Sequence, residues 1–163
     1  MKPRRAELLT TNIKKRSLDA QRHMTALEAA ASDFGDDFDI DIFARSWDSD
    51  DPQELKRAYA VQAGYENVLN NCVTIAEEVC ELEGWVAANT QPNAVEALKL
   101  LHENGVIETK TREALKGAQE RRTKVQHGYV NVRARDVHES ATEVLDAAPL
   151  LLQGVADQLR QRQ

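Results

Sequence analysis

The fold is decided by residues 51–86, which read DPQELKRAYAVQAGYENVLNNCVTIAEEVCELEGWV. They begin with a clear helix start, because Asp51 is a good N-cap, Pro52 suits the first helical position and Glu54 can reach back from the third. Apolar residues then recur in alternating steps of three and four, which predicts one helix of about 36 residues with a heptad seam. The seam consists of Ala58, Val61, Tyr65, Val68, Cys72, Ile75, Val79, Leu82 and Val86.

The rest of the chain is also predicted to be helical. It has 163 residues, of which 42% are hydrophobic and only 5% aromatic, a mixture that suits a helical protein better than a β-sandwich. We therefore predict an all-α fold, an antiparallel helical bundle that forms one domain over residues 1–163. The other predicted helices cover residues 5–32, residues 93–101 behind an Asn93–Glu96 capping box, a segment that begins at Thr109 or Thr111, and a final segment from about Asp136 that Pro149 should kink or split.

Residues 33–51 differ from the rest in composition. They hold eight aspartates and all three phenylalanines of the protein. We predict an acidic and aromatic inter-helix loop. The alternation from Phe38 to Ile42 suits a short extended piece, but the sequence supplies no partner strand for it. The apolar residues of the loop would close one end of the bundle, which is the interpretation we favour. The alternatives are a docking segment for a basic partner and an acidic guard beside a functional site.

Cysteine, charge and hydropathy patterns exclude several classes of protein. Cys72 and Cys80 would lie about 12 Å apart along one helix, too far for a disulfide, so we expect buried thiols in a reducing compartment. No Cys/His spacing fits a zinc site, and we predict no metal or cofactor. No signal peptide or membrane span is indicated, and we expect a cytoplasmic protein.

Candidate chemistry lies in Arg121-Arg122-Thr123-Lys124-Val125-Gln126-His127-Gly128-Tyr129. Arginine holds phosphate, histidine exchanges protons near neutral pH, and a tyrosine hydroxyl orients a neighbour or binds a phosphate oxygen. Together these groups could cut a phosphodiester without a metal. In an unbroken helix Arg122 and Tyr129 lie about 20° apart but His127 lies about 140° from Arg122. Either the helix loosens near Gly128 or two chains share the site.

The net charge of −6 excludes a general nucleic-acid coat, so an RNA site must be a local basic patch on an acidic body. Residues 110–135 supply that patch, with eight lysines and arginines against two glutamates. Among them Arg121, Thr123 and Lys124 are possible phosphate or RNA contacts. A polar run on the long helix lies off the seam and is either solvated or turned towards the active-site cleft; it comprises Glu66, Asn67, Asn70, Asn71 and Thr74.

The motif resembles the signature of the HEPN ribonucleases, which is an arginine, four to six residues, a histidine, any residue and a tyrosine. Both Arg121 and Arg122 fit this spacing, and Thr123 stands where the family usually has asparagine or another polar residue. From about residue 52 to residue 160 the chain looks like the HepT-type toxin subfamily. The resemblance implies a two-fold helical dimer with a composite cleft. It also implies a cognate nucleotidyltransferase antitoxin that silences the toxin by attaching AMP to Tyr129.

From these residues and this resemblance we expect an RNA endonuclease toxin. His127 would transfer protons, Arg122 or Arg121 would hold the phosphate, and Tyr129 would orient the phosphate or the histidine. The substrate would be messenger or transfer RNA. The alternative is a non-catalytic helical module that binds a nucleotidyltransferase partner, and a weaker one is a purely structural bundle.

Overall fold

A computed structural model describes residues 1–87, 90–126 and 132–163. Within these ranges the chain forms six α-helices and no strands, so the predicted all-α class is confirmed. The helices are α1 (Pro3–Ser32), α2 (Ile40–Trp47), α3 (Pro52–Leu82), α4 (Ala94–Glu103), α5 (Thr109–Gln126) and α6 (Ala134–Gln161).

The central helix α3 begins where the sequence predicted and ends earlier. The Asp51 carboxylate accepts from the backbone N–H of Gln53 at 2.8 Å. Glu54 does not reach back to the cap, because its carboxylate accepts from the hydroxyl of Ser46 at 2.5 Å. The helix stops at Leu82 because Gly84 adopts a φ of +72°, a left-handed conformation that ends helices. Every predicted seam residue from Ala58 to Leu82 is buried.

α1 packs along α3 in the opposite direction. Its first turns meet the end of α3, where the Arg5 guanidinium donates to the Glu81 carboxylate at 2.8 Å. Its far end lies against the middle of α3, where a Cβ on Gly64 would be 3.1 Å from the Leu27 side chain. Gly64 therefore lets the two helix axes approach closely.

Residues 33–51 correct the sequence prediction, because they contain α2 rather than only a loop, and no extended piece forms between Phe38 and Ile42. The Asp39 carboxylate caps α2 by accepting from the backbone N–H groups of Asp41 and Ile42 at 2.8 and 3.0 Å. As an amphipathic helix, the segment can bury Phe43 while its aspartates stay in water. Phe43 meets the buried Phe34 edge-on at 5.0 Å between ring centroids, so the aromatic residues close one end of the bundle.

The second half of the chain forms two hairpins. Asn93 caps α4 by accepting from the backbone N–H of Glu96 at 2.8 Å, which is the Asn93 half of the predicted capping box. Gly105, at φ +75°, ends α4, and Val106 and Ile107 turn into the core. α5 and α6 then pack antiparallel. α6 runs unbroken through Pro149, so the helix is not split there.

Candidate active site

The basic stretch that the sequence singled out lies on the last turns of α5. This helix packs mainly on α6 and α4 and also touches α3. The predicted catalytic residues His127 and Tyr129, with Gly128 between them, lie outside the described residues. The structure does place the two candidate arginines, and it gives them different partners.

Arg121 is held by α6. Its Nε donates to the hydroxyl of Ser140 at 2.8 Å, and its guanidinium forms ion pairs with the carboxylates of Glu143 and, at 3.6 Å, Glu139. The Arg121 side chain is only 23% exposed. Burial raises the pKa of the Glu143 carboxyl, and the neighbouring Arg121 cation opposes that rise. Arg121 therefore ties α5 to α6.

Arg122 points to a different helix. Its Nη1 donates a hydrogen bond to the side-chain carbonyl of Asn70 on α3. The sequence left open whether the polar run on α3 is solvated or turned towards the motif. Asn70 is turned towards it, whereas Asn71 donates to the backbone carbonyl of Asn67 within its own helix at 3.0 Å. The fold thus brings a guanidinium and an amide together beside the motif, and both groups can donate to a phosphate oxygen.

Thr123 and Lys124, the other possible RNA contacts, are exposed at the end of α5. The Thr123 hydroxyl donates to the backbone carbonyl of Gln119 at 2.9 Å, inside the helix. Both residues line a groove of about 560 Å³ between α5 and the start of α4, which also includes Asn93. The position of Lys124 on the rim of this groove suits a solvent-facing contact to a phosphate.

A buried tyrosine lies close to both arginines. Tyr65 of α3 is 3% exposed, and burial raises the pKa of its hydroxyl to about 12. The cations of Arg122 and Arg121 and a hydrogen bond with Ser140 oppose that rise. Tyr65 and Ser140 therefore form a polar layer under the arginine pair. The heptad pattern predicts Tyr65 only as a seam residue, although it is the one seam position that carries a hydroxyl.

Two other histidines have structural contacts. His138 of α6 donates from Nε2 to the backbone carbonyl of Phe38 at 2.6 Å. Its ring also stacks on the Phe38 ring, with 4.3 Å between the ring centroids. His102, at the end of α4, shares a hydrogen bond of 2.9 Å with the hydroxyl of Thr109 at the start of α5. These contacts account for the side chains of His102 and His138, and the motif singles out His127 as the histidine to test for chemistry.

The two thiols, the metal-ligating side chains and the apolarity of the helices bear on the remaining predictions. Cys72 and Cys80 are free, buried thiols, and burial raises the pKa of each to about 12. Within the described ranges, no group of three His, Cys, Asp or Glu residues could hold a metal ion. None of the described helices has the length and apolarity needed to cross a bilayer.

Comparison with protein families gives a match to the family described as Ribonuclease HepT-like, over residues 39–153. The matched range begins at the cap of α2, covers α3 to α5 and ends inside α6, so it spans well over half of the chain and leaves out α1. Comparison with curated proteins found no match, and comparison with solved structures found none either.

Proposed function

The chain belongs to the HepT-like ribonuclease family, and from that membership we propose that it is a metal-independent endoribonuclease toxin. The residue assignment rests on one observation, which is that the two arginines have different partners. Arg121 is engaged by Ser140, Glu139 and Glu143 of α6. We therefore assign the binding of the phosphate to Arg122. Its guanidinium donates to Asn70, and four residues separate it from His127 in the sequence.

In the proposed reaction the RNA supplies its own nucleophile. The 2′-hydroxyl oxygen bonds to phosphorus as its proton leaves, and the bond from phosphorus to the 5′-oxygen breaks as that oxygen gains a proton. His127 transfers protons, and Arg122 stabilises the charge that builds up on the phosphoryl oxygens. Tyr129 orients the phosphate or the histidine. The products are a 2′,3′-cyclic phosphate and a free 5′-hydroxyl.

We also propose that two chains share one cleft. One histidine does not readily act as acid and base in the same step, and a two-fold dimer brings a second copy of the motif. The dimer also doubles the local positive charge on an acidic body. A monomer with full activity would contradict this arrangement.

Regulation follows from the position of Tyr129 in the motif. We propose that a cognate nucleotidyltransferase antitoxin attaches AMP to its hydroxyl. The added group brings bulk and negative charge to the place where the substrate phosphate must bind. The RNA substrate, messenger or transfer RNA, locates this activity in the cytoplasm.

The test is cleavage of a defined single-stranded RNA by the purified protein in EDTA. We expect the wild type to cut it and to leave cyclic phosphate ends, and an RNA with 2′-deoxy sugars to remain intact. His127→Ala and Arg122→Ala should each lower the rate by about 100-fold or more, the usual loss when a proton-transfer group or a charge-stabilising donor is removed. Arg22→Ala, an exposed arginine of α1, is the matched control and should cut like the wild type.

An inert wild type has two distinct explanations, which the mass of the intact protein separates. Added AMP on Tyr129 would indicate a silenced toxin and support the proposed regulation. An unmodified and inert protein would contradict the ribonuclease and favour the alternative function, a helical module that binds a nucleotidyltransferase partner without catalysis. Cleavage of the 2′-deoxy substrate would exclude the 2′-hydroxyl mechanism.

A further inference from the structure

A groove of about 580 Å³ lies between α2 and the start of α6. Its floor is apolar and is formed by the half-buried side chains of Ile40, Ala44 and Val132. Its rim is charged and carries Asp48 at the end of α2 and Arg133 and Arg135 at the start of α6. An apolar floor with a few polar groups at its edge is the usual form of a site for a small organic group.

Contacts with the rest of the fold hold both walls of the groove, α2 and α6, in place. On the α2 side, the buried Phe43 anchors the helix in the core, and the Ser46 hydroxyl donates to Glu54 of α3 at 2.5 Å. On the α6 side, His138 donates to the backbone carbonyl of Phe38 at 2.6 Å. These contacts fix the distance between the two walls, so the shape exists before a ligand arrives.

The position and charge of the groove indicate which ligand it takes. Val132 on its floor follows Tyr129 by three residues, and three residues of chain span at most about 11 Å. Arg135 is exposed, and among the described residues it makes no hydrogen bond or ion pair. The Arg133 side chain is 75% exposed, and its Nε lies 3.7 Å from Oδ2 of Asp136. A molecule that occupies both the motif and this groove must therefore combine an apolar flat group with negative charge, and a nucleotide has both.

We propose that this groove binds the nucleoside next to the scissile phosphate of a single-stranded RNA, an inference that rests on the proposed function. The base lies on the floor formed by Ile40, Ala44 and Val132. The guanidinium of Arg135 binds the adjoining phosphate. The Asp48 carboxylate accepts a hydrogen bond from an exocyclic amine of the base, as acidic side chains do from cytosine. Cytosine, adenine and guanine are therefore preferred over uracil at this position.

The experiment uses full-length protein and two measurements. Cleavage by the wild type is measured on RNA oligonucleotides that differ in one base beside the cut. Binding of a fluorescent single-stranded RNA is measured by anisotropy at several salt concentrations, in a His127→Ala background that does not cut. Arg135→Ala and Asp48→Asn test the groove, and Arg22→Ala is the control for the loss of an exposed arginine elsewhere. Thermal unfolding verifies that each variant is folded.

Each variant has its own expected result. Arg135→Ala should weaken binding by about tenfold and reduce the slope of log affinity against log salt by about 0.7, the value for one phosphate contact on a single strand. Asp48→Asn should leave the salt slope unchanged and reduce the preference for amino-bearing bases over uracil by about tenfold. Arg22→Ala should change neither quantity.

The outcomes separate this inference from the proposed function. If the wild type cuts RNA and both groove variants cut it with the same rate and base preference, the inference is overturned and the ribonuclease stands. If the wild type does not cut but Arg135→Ala still lowers RNA affinity and the salt slope, the groove is supported and the ribonuclease is not. If no variant or wild-type protein binds RNA, both are overturned.

Discussion

Arg121 and Arg122 are neighbours in sequence, and both fit the spacing to His127. Consecutive residues on a helix point about 100° apart, so one arginine of the pair faces α6 and the other faces α3. Arg121 meets Ser140, and Arg122 meets Asn70. The two side chains therefore have different expected roles, and substituting them should produce different kinds of defect.

We predict that Arg121→Ala destabilises the fold more than it harms the chemistry. The change removes charge-assisted hydrogen bonds to Ser140 and Glu143 and leaves the partly buried Glu143 carboxylate without its cation. The free energy of unfolding should fall by about 1.5–3 kcal/mol, the range for hydrogen bonds to charged groups. Urea denaturation measures it. At a temperature where both proteins are folded, RNA cleavage should fall far less than in Arg122→Ala.

Arg22→Ala is again the control, and its free energy of unfolding should stay within about 0.5 kcal/mol of the wild type, as for most exposed positions. Should Arg121→Ala unfold like the wild type and yet lose cleavage, Arg121 would be the arginine that binds the phosphate.

At the scale of elements, the turn between α4 and α5 depends on a glycine of a distant helix. A Cβ added to Gly154 of α6 would overlap the backbone carbonyl oxygen of Val106 in that turn. Val106 is buried in the core, so the turn has little room to move away. α6 thus fixes the turn from which α5, and with it the arginine pair, begins.

Gly154→Ala should therefore destabilise the protein, although alanine favours a helix more than glycine does. Overpacking costs about 1–3 kcal/mol, and direct overlap with a backbone oxygen belongs at the upper end of that range, above the gain in helix propensity of about 1 kcal/mol. The measurement is the midpoint of chemical unfolding. Gln153→Ala, on the exposed side of the same turn of α6, should leave the midpoint nearly unchanged. A Gly154→Ala protein as stable as the wild type would show that the turn can shift.

For the whole molecule, partly buried carboxyl groups between helices predict the pH dependence of stability. Burial raises the pKa of Glu78, on the α1-facing side of α3, and the neighbouring Arg16 cation opposes that rise. Its Oε2 is buried and, among the described residues, lacks a hydrogen-bond partner. Burial also raises the pKa of Glu77 and of Glu143. A carboxyl whose pKa is raised by folding stabilises the protein most below the unfolded value, near 4.5, and loses that stabilisation as pH rises through the folded pKa.

We predict that Glu78→Gln makes stability less sensitive to pH. The amide stays neutral, so the variant should gain free energy of unfolding relative to the wild type as pH rises from about 4.5 to 7. Urea denaturation at a series of pH values gives the difference curve. Glu28→Gln, exposed on α1, is the control for the loss of one negative charge. A difference curve for Glu78→Gln that is flat or falls with pH would contradict the argument.

Much of the fold followed from the sequence by local rules. The caps of α3 and α4 were predicted because Asp51 and Asn93 act on backbone N–H groups two or three residues away. The buried seam of α3 was predicted because helical period fixes which side chains share a face. α2 was not predicted, because the apolar spacing in so short an acidic segment is compatible with a strand or a helix until the core that receives Phe43 is known.

The candidate site, like the fold, was predictable from the sequence only in part. The motif, its spacing and the basic patch could be read from the sequence, since these depend only on residue type and order. Three features needed the tertiary structure: the pairing of Arg121 with Ser140 and Glu143, the contact of Arg122 with Asn70, and the groove between α2 and the start of α6. The physical reason is that these contacts join residues far apart in the chain, and helical period says which face a side chain occupies but not which helix that face will meet.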